Sequence, residues 1–203
     1  MHVNLFSIPV YKTVLSNHDA IREDFKGVLE DDSHFSKIPT WYSNVDTTFG
    51  NREADKLPWQ KFIQSAVIGL NDYIEVFNLD LPKEYRVECW LNRYSPNQYQ
   101  EIHNHAGESV ISCAYMMRTP PDSGSFVFYK NQYDYFHQAG LPRLSSEPFK
   151  FNNRVTPPLE EGEIIYFPSN LEHYVSENRS NEIRATISAN FIVTEKLFET
   201  NNG

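Results

Sequence analysis

Three histidines have the residue type and spacing of a metal site. His103 and His105 are separated by one residue, and His173 follows sixty-eight residues after the second of them. Side chains at i and i+2 of a strand point to the same face, so the pair can present two imidazoles together. A third imidazole from a distant strand would complete a face of three nitrogens. Such a face suits iron, zinc, copper or nickel and leaves coordination positions open for substrate and oxygen. The spacing therefore predicts a catalytic metal site.

A carboxylate-binding motif follows the last histidine. The tripeptide Arg184-Ala185-Thr186 begins eleven residues after His173, at the start of a largely apolar run. Strand parity places Arg184 and Thr186 on one side. Arginine offers two parallel N–H donors and threonine one hydroxyl, which together fit a carboxylate. Further candidates for hydrogen bonding to a ligand precede the histidine pair: Asn92, Tyr94 and Tyr99.

Four other histidines lack a comparable setting, and we expect them to lie on the surface: His2, His18, His34 and His137. Of these, His137 is a candidate for the rim of a pocket. The nearby carboxylates Glu101 and Glu108 could also reach the histidine pair. Glu101 has the same parity as His103 and is therefore a possible alternative ligand.

The first part of the chain is predicted to contain an edge strand and two helices. Residues 3–12 alternate apolar and polar side chains around Pro9, as an edge strand does. Ser16-Asn17 precede apolar residues at helical spacing and provide an N-cap. Residues 31–57 are polar with scattered aromatics and predict a long ordered loop. Pro58, at a helix N1 position, opens the most regular helical pattern in the chain.

After Leu81-Pro82 the pattern changes to short strands separated by Pro- and Gly-containing turns. Residues 131–158 form a longer insertion that could cover a pocket. Helices followed by strands predict a mainly β fold, a sandwich or jelly roll supported by N-terminal helices. The predicted strands are residues 86–94, 109–117, 125–129, 163–167 and 183–193.

Length and composition indicate one folded domain, residues 1–203, with a support region at 1–82 and the site-bearing core at 83–203. The formal charge is −9 and no basic run occurs, which disfavours nucleic-acid and anionic-membrane partners. No apolar stretch is long enough for a membrane span, and the N-terminus shows no secretory signal. Cys89 and Cys113 lie in apolar runs and are predicted to be buried free thiols of a cytoplasmic protein.

These segments together resemble the iron(II)- and 2-oxoglutarate-dependent oxygenases. The order Tyr94, Tyr99, His103 and His105 is similar to the prolyl-hydroxylase-like pattern of Tyr, Tyr and His-x-Asp. In the same comparison His173 matches the distal histidine. Arg184 and Thr186 match the residues that grip the far carboxylate of 2-oxoglutarate. The resemblance spans nearly the whole chain and is closest to a subfamily common in bacteria and their phages.

The resemblance implies a double-stranded β-helix (jelly-roll) fold with Fe(II) as metal, 2-oxoglutarate as cosubstrate and molecular oxygen as oxidant. The implied metal ligands are His103, His105 and His173. The implied cosubstrate-binding residues are Arg184, Thr186, Tyr99, Tyr94 and Asn92. The expected activity is hydroxylation of a peptidyl or small-molecule substrate, with a homodimer as a possible assembly.

The chain departs from the family pattern at His105, which occupies the position of the usual carboxylate. A neutral face of three imidazoles results, where these oxygenases usually present two histidines and one carboxylate. This leaves two alternatives to the oxygenase. One is a cupin-like three-histidine metalloenzyme that does not use 2-oxoglutarate, such as a thiol dioxygenase or an isomerase. The other is a non-catalytic jelly-roll binding module.

Overall fold

The computed structural model describes residues 7–80, 84–107, 109–130 and 153–194. This part of the chain is mostly β-structure and contains two α-helices, α1 (His18–Glu30) and α2 (Gln60–Phe77), as well as two short 3-10 turns, Asp32–His34 and Arg52–Lys56. Its strands are β1 (Tyr11–Val14), β2 (Asp46–Thr47), β3 (Tyr85–Tyr94), β4 (Gln100–His103), β5 (Ser109–Arg118), β6 (Phe126–Tyr129), β7 (Arg154–Val155), β8 (Glu163–Pro168), β9 (His173–Val175) and β10 (Arg184–Val193).

The strands form two antiparallel sheets. The larger has the order β1-β8-β5-β10-β3-β2, and the smaller has the order β4-β9-β6-β7. Strand β10 lies inside the larger sheet, where all ten of its residues pair with β3. This register places Arg184 opposite Tyr94, and Thr186 opposite Asn92. The predicted mainly β, double-stranded β-helix fold is confirmed.

The larger sheet has apolar side chains on both faces. Its outer face packs against α1 and α2, and the core there includes Ile21, Phe25, Phe62, Leu70 and Tyr115. Its inner face packs against the smaller sheet. Large buried side chains fill this inner layer: Tyr94, Met116, Phe126, Phe128 and Phe167. Because a strand covered on both sides cannot alternate between apolar and polar, this explains the continuous apolar run in β5.

Asn17 is the N-cap residue of α1, as predicted, but its side chain makes no capping hydrogen bond. Instead, Nδ2 donates to the carbonyl of Lys61, and Oδ1 accepts from the hydroxyl of Ser65. Both partners belong to α2, so Asn17 joins the two helices.

The prediction for Pro58 was wrong by two residues, because α2 begins at Gln60. A residue before proline favours extended backbone, and Leu57 (φ −69°, ψ 158°) ends the preceding turn in that conformation.

The N-terminal strand is an edge strand, as predicted, but it lies later in the chain. Residues 7–10 are not in a strand, and pairing with β8 begins at Tyr11. Proline has no backbone N–H to donate, and Pro9 therefore cannot contribute a donor to the pairing before Tyr11. The predicted long loop 31–57 also contains β2, which pairs with β3. Residues 1–82 thus add two strands to the larger sheet as well as two helices.

The five predicted strands occur within one residue of their expected bounds. Of the predicted insertion 131–158, residues 131–152 lie outside the described residues. The remaining part contains β7, which pairs with β6. Cys89 and Cys113 are both free thiols; Cys113 is buried, as predicted, whereas Cys89 is only partly buried. Both pair with Ala189 of the intervening strand β10, which keeps them two strands apart. Among the described residues, no helix combines the length and apolar character that crossing a membrane requires.

Candidate metal centre

The three predicted histidines meet where the smaller sheet faces the larger. His103 is the last residue of β4 and pairs directly with His173, the first residue of β9. His105 follows two residues after β4, and its backbone N–H donates to the carbonyl of Ser169. Candidate ligand nitrogens of the three rings lie within 4.8 Å of one another. The described residues thus contain a three-imidazole group suited to one metal ion.

Hydrogen bonds at Nδ1 determine which nitrogen each ring can offer to a metal. His103 and His173 each contact a backbone carbonyl at 2.8 Å, that of Glu101 and that of Leu171. Because a carbonyl only accepts, both Nδ1 atoms must carry the proton. His105 Nδ1 similarly lies 2.8 Å from the amide oxygen of Asn190. His103 and His173 therefore keep Nε2 as the unprotonated nitrogen that can bind a metal, and His105 does so when Asn190 Oδ1 accepts its Nδ1 proton.

Burial keeps the three imidazoles neutral. Desolvation is the main cause that lowers the pKa of His103. Desolvation, followed by the nearby His103, lowers the pKa of His105 to about 4. The pKa of His173 lies well below its usual value for the same reasons, since both other histidines are close to it. A neutral imidazole is the form that binds a metal, so the site is ready to do so at neutral pH.

The donor set fits iron. Imidazole nitrogen is a common iron ligand, and three nitrogens on one face leave positions for other ligands. A metal–nitrogen distance of about 2.0–2.1 Å requires adjacent nitrogens about 3 Å apart, which small rotations of the rings can provide. His103, His105 and His173 are the residues that would hold the ion.

Glu101 is not part of this group, although it borders the cavity. Its two carboxylate oxygens accept the backbone N–H groups of Tyr42 and Ser43, each at 3.1 Å. The parity argument for Glu101 fails because the β4–β9 register shifts between Gln100 and His103. A bulge of this kind interrupts the alternation of side chains between faces. Glu108, the other nearby carboxylate, lies outside the described residues.

A cavity of about 450 Å³ opens beside the histidines. Asn92, Tyr94 and Thr186, three of the predicted cosubstrate-binding residues, line it. Tyr94 is buried, and desolvation raises the pKa of its hydroxyl to about 12 while a hydrogen bond with Thr186 opposes that shift. The Asn92 amide oxygen is buried without a hydrogen-bond partner in the described structure. A ligand in this cavity would therefore meet one acceptor that is still free.

Arg184 lies two residues from Thr186 on the same face of β10, and its side chain is among the most deeply buried in the protein at 2% exposure. Its Nη1 donates to the carbonyl of Gly124 at 2.6 Å, and Nη2 contacts the sulfur of Met116 at 3.4 Å. Nε has no partner. The guanidinium lines a neighbouring groove and not the histidine cavity itself, which Tyr94 and Thr186 line.

The structure does not bring Tyr99 to the cavity, contrary to the predicted cosubstrate role. Its hydroxyl donates to the carbonyl of Tyr42 at 3.0 Å, and the residue is 38% exposed. The adjacent Gln100, 5% exposed, lines the cavity instead. The bulge in β4 is again the reason, because it breaks the alternation that relates Tyr99 to His103.

Sequence reasoning missed Asn190, which contacts His105 and lines the cavity. The sequence did contain a signal for this contact, since Asn190 has the same strand parity as Thr186 on β10.

The prediction that His18 lies on the surface needs correction. Its ring is partly buried, accepts or donates a hydrogen bond with the hydroxyl of buried Tyr115, and lies 3.5 Å from Glu161. His2 and His137 lie outside the described residues.

Residues 88–190 match the sequence model of one protein family, described as "Putative 2OG-Fe(II) oxygenase". This match covers half of the chain and contains the three histidines, Arg184 and Asn190. No protein with a curated description matches the sequence.

Solved structures with the same fold include several enzymes that differ widely in sequence. A prolyl-4-hydroxylase from Pseudomonas putida has a TM-score of 0.61 at 13% identity, covering 93% of this chain and 95% of that one. A prolyl hydroxylase from Trichoplax adhaerens, in complex with a hypoxia-inducible factor peptide fragment, has a TM-score of 0.61 at 11% identity, with coverages of 92% and 84%.

HygX from Streptomyces hygroscopicus, with nickel and 2-oxoglutarate bound, has a TM-score of 0.56 at 14% identity and the same coverages of 92% and 84%. At such low identity these likenesses concern the fold, and the family match concerns the residues that carry the site. The chain belongs to the 2OG-Fe(II) oxygenase family of oxidoreductases, whose cofactors are iron and 2-oxoglutarate.

Proposed function

We propose that this oxygenase hydroxylates a peptidyl or small-molecule substrate, with iron held by His103, His105 and His173 and 2-oxoglutarate anchored by Arg184. The observation that carries the proposal is a buried guanidinium without a counter-ion. No acidic side chain among the described residues forms an ion pair with Arg184, and its Nε is unpartnered. Burying an unpaired charge is costly, which favours a bound anion as the missing partner.

The position of Arg184 supports a dicarboxylate in particular. Thr186 and Tyr94 line the histidine cavity, and Arg184 lies about 7 Å further along β10 on the same face. A ligand with an acid at each end could place one end at the metal and the other against the Thr186 hydroxyl and the guanidinium. Burial lowers the pKa of Arg184, but arginine stays protonated at neutral pH, so the anchor keeps its charge.

Bound iron and 2-oxoglutarate would supply the oxidation, in which one atom of O2 would enter succinate as 2-oxoglutarate loses carbon dioxide and the other would enter a C–H bond of the substrate. The protein's own residues orient these reactants. The three Nε2 atoms determine where the metal lies, Arg184 and Thr186 set the direction of the cosubstrate, and apolar neighbours such as Phe126 and Phe167 exclude water behind His173.

The free side of the cavity gives the substrate an aromatic wall. Trp41 stacks on Phe49 with ring centroids 5.8 Å apart, and Phe49 meets the edge of Trp90 at 5.3 Å. Trp90 in turn contacts His105, also at 5.3 Å. A wall that runs from the 41–49 loop to a metal ligand favours a flat or apolar substrate group placed with a C–H bond near the metal.

The cupin-like alternative has no need of an anchored dicarboxylate, so the unpaired Arg184 favours the 2-oxoglutarate enzyme over it. A non-catalytic binding module would likewise not require three neutral imidazoles with matched Nδ1 partners. The formal charge of −9 supports a substrate other than nucleic acid. The proposal keeps a cytoplasmic location, with a homodimer as a possible assembly.

The test is conversion of 2-oxoglutarate to succinate by protein supplied with iron and ascorbate, scanned against a panel of metabolites and peptides. A substrate should raise succinate formation above the uncoupled rate and gain one oxygen atom by mass. The matched negative control is the His173→Ala variant under identical conditions. Failure of the wild type both to bind and to turn over 2-oxoglutarate would contradict the proposal and favour the cupin alternative.

A further inference from the structure

We propose that Asn190 is the positioning residue of the metal centre: its side-chain oxygen fixes the His105 ring as a neutral Nε2 ligand and gives the Nδ1 proton of that ring an uncharged acceptor. The inference rests on the proposed metal site. It goes beyond the three ligands by assigning a role to Asn190, which contacts the ligand His105 and is not itself a proposed ligand.

Asn190 is placed by the larger sheet and not by the segment that carries His105. It lies on β10, where it pairs with Glu88 of β3 on one side and with Ser112 of β5 on the other. Its Oδ1 is 2.8 Å from His105 Nδ1. Two central strands therefore support a ligand that lies just after the short strand β4. This support matters because His105 lies outside regular structure, where its backbone N–H donates to the carbonyl of Ser169.

A chain of buried serine hydroxyls contacts the Asn190 amide. Ser112 Oγ donates to Asn190 Oδ1 at 2.8 Å and lies 3.0 Å from His105 Nδ1. Ser112 also contacts Ser169 at 2.8 Å, and Ser169 contacts Ser109 at 2.7 Å. Since each hydroxyl has one proton, donation by Ser112 to Asn190 leaves Ser112 to accept from Ser169.

With the proton on His105 Nδ1, as a metal at Nε2 requires, turning the amide around would place its NH2 group against the imidazole N–H. Ser112 and Ser169 are almost completely buried, at 0% and 1% exposure, so water cannot easily repair such a mismatch. Because a metal at Nε2 requires the proton on Nδ1, metal binding selects the arrangement in which Asn190 Oδ1 faces His105 and accepts that proton.

The groups that accept the three Nδ1 protons carry no charge. The three Nδ1 protons go to two backbone carbonyls and one amide, all of them neutral. Neither the ligands nor these acceptors carry a carboxylate. A carboxylate at Nδ1 raises the basicity of a histidine ligand and tightens metal binding. Asn190 therefore sets a weaker donor strength at His105 than the isosteric aspartate would.

Two substitutions of similar size should move metal affinity in opposite directions. Asn190→Asp keeps the shape and gives His105 a carboxylate, whose charge two existing donors, Nδ1–H and the Ser112 hydroxyl, would stabilise. Asn190→Leu removes the acceptor and leaves both donors unsatisfied, so the ring loses its orientation. Changes to such supporting partners typically alter metal affinity by about 10- to 100-fold, and we expect effects of that order.

The experiment is titration of the metal-free full-length protein with Co(II) at one fixed pH. Binding is measured by calorimetry and by the visible absorption of the bound ion. The expected order of dissociation constants is Asn190→Asp below wild type and wild type below Asn190→Leu. The absorption band should shift in Asn190→Asp. Ser188→Ala is the matched control, since Ser188 lies on the same face of β10 and contacts Asn92 and no histidine; its constants and spectrum should equal those of the wild type.

Equal weakening by both substitutions would mean that Asn190 only fills space, and unchanged affinity in both would mean that it does not act on His105. Either result overturns the inference while leaving the metal site in place. If Asn190→Leu fails to fold, Asn190→Asp alone decides, because tighter binding is expected only from the charge. Absence of cobalt binding by the wild type would overturn the metal site itself, and this inference with it.

Discussion

Arg184 donates a 2.6 Å hydrogen bond to the carbonyl of Gly124, a residue of the turn that precedes β6. This bond ties β10 of the larger sheet to the smaller sheet and takes up one of the five guanidinium N–H groups. Gly124 has a φ of 83°, and a Cβ there would come within van der Waals overlap of the Ser176 carbonyl. A glycine is thus required at position 124. Its carbonyl holds Arg184 in position without a ligand.

Replacing Arg184 should weaken 2-oxoglutarate binding while leaving metal binding near normal. Loss of a charge-assisted pair in a desolvated site costs roughly 2–5 kcal/mol, or about thirty-fold or more in affinity. Arg184→Lys should recover only part of this, because one ammonium cannot reproduce the guanidinium fork. The measurement is calorimetric titration of 2-oxoglutarate into anaerobic, metal-loaded protein. Arg179→Ala, at an 80% exposed arginine of the neighbouring groove, is the control; equal binding by Arg184→Ala and wild type would refute the anchor.

Replacing His173 should abolish stoichiometric iron binding without unfolding the protein. Its ring lies 4.3 Å from that of His103 and 4.9 Å from that of His105. In the described part of the chain, its substitution by alanine leaves only two imidazoles in the group. Anaerobic iron titration measures the loss, and circular dichroism checks the fold. His34→Ala removes a histidine that lies 3.6 Å from Asp31 and does not line the cavity, and this variant should bind iron as the wild type does. Unchanged affinity in His173→Ala would remove this residue from the site.

The parity rule predicted the site well where the strands are regular. β10 and β3 pair without interruption over ten residues, so Arg184 and Thr186 do share a face, and Tyr94 and Asn92 lie opposite them. The rule failed at β4, where the register shifts between Gln100 and His103. Sequence gives no sign of this bulge, because it follows from how β4 meets β9. For that reason the structure places Tyr99 outside the cavity lining and Glu101 at the border of the cavity.

The side-chain contacts of His105 could not be predicted from the sequence either. Asn190 lies eighty-five positions away from it, and Ser112 and Ser169 come from two further strands or turns. Only the pairing order of the larger sheet brings these residues together. The fold class could be predicted because alternation and turn residues are local signals, whereas a network among four segments depends on tertiary packing.

The two thiols should be unreactive in the native protein. Desolvation, with a smaller contribution from Glu88, raises the pKa of Cys89 to about 12, and burial raises that of Cys113 well above its usual value. Since the thiolate is the reactive form, both remain protonated and inert at pH 8. Alkylation by iodoacetamide, counted by mass, should be slow in native buffer and rapid at both positions in denaturant. Fast modification of Cys113 in the folded state would contradict the buried position that the structure gives it.

The His105→Asp variant addresses the departure from the usual ligand set. If His105 occupies the carboxylate position, an aspartate there should retain iron and keep or raise 2-oxoglutarate turnover, because it supplies the negative charge that these oxygenases normally present. Glu101→Ala is the companion variant. Its carboxylate holds the amides of Tyr42 and Ser43, so its loss should cost about 1–3 kcal/mol of stability at most and leave iron affinity near that of the wild type.

Iron affinity, 2-oxoglutarate turnover and the free energy of unfolding in urea together separate these two roles. Iron retained in His105→Asp, with normal iron affinity but lower stability in Glu101→Ala, supports a three-histidine face beside a structural glutamate. Complete loss of metal from His105→Asp, with equal loss in Glu101→Ala, would instead show that a carboxylate already completes the site. In that case the 41–44 loop would have to release Glu101 when iron binds, and the hydrogen bonds to Tyr42 and Ser43 would belong to the metal-free protein alone.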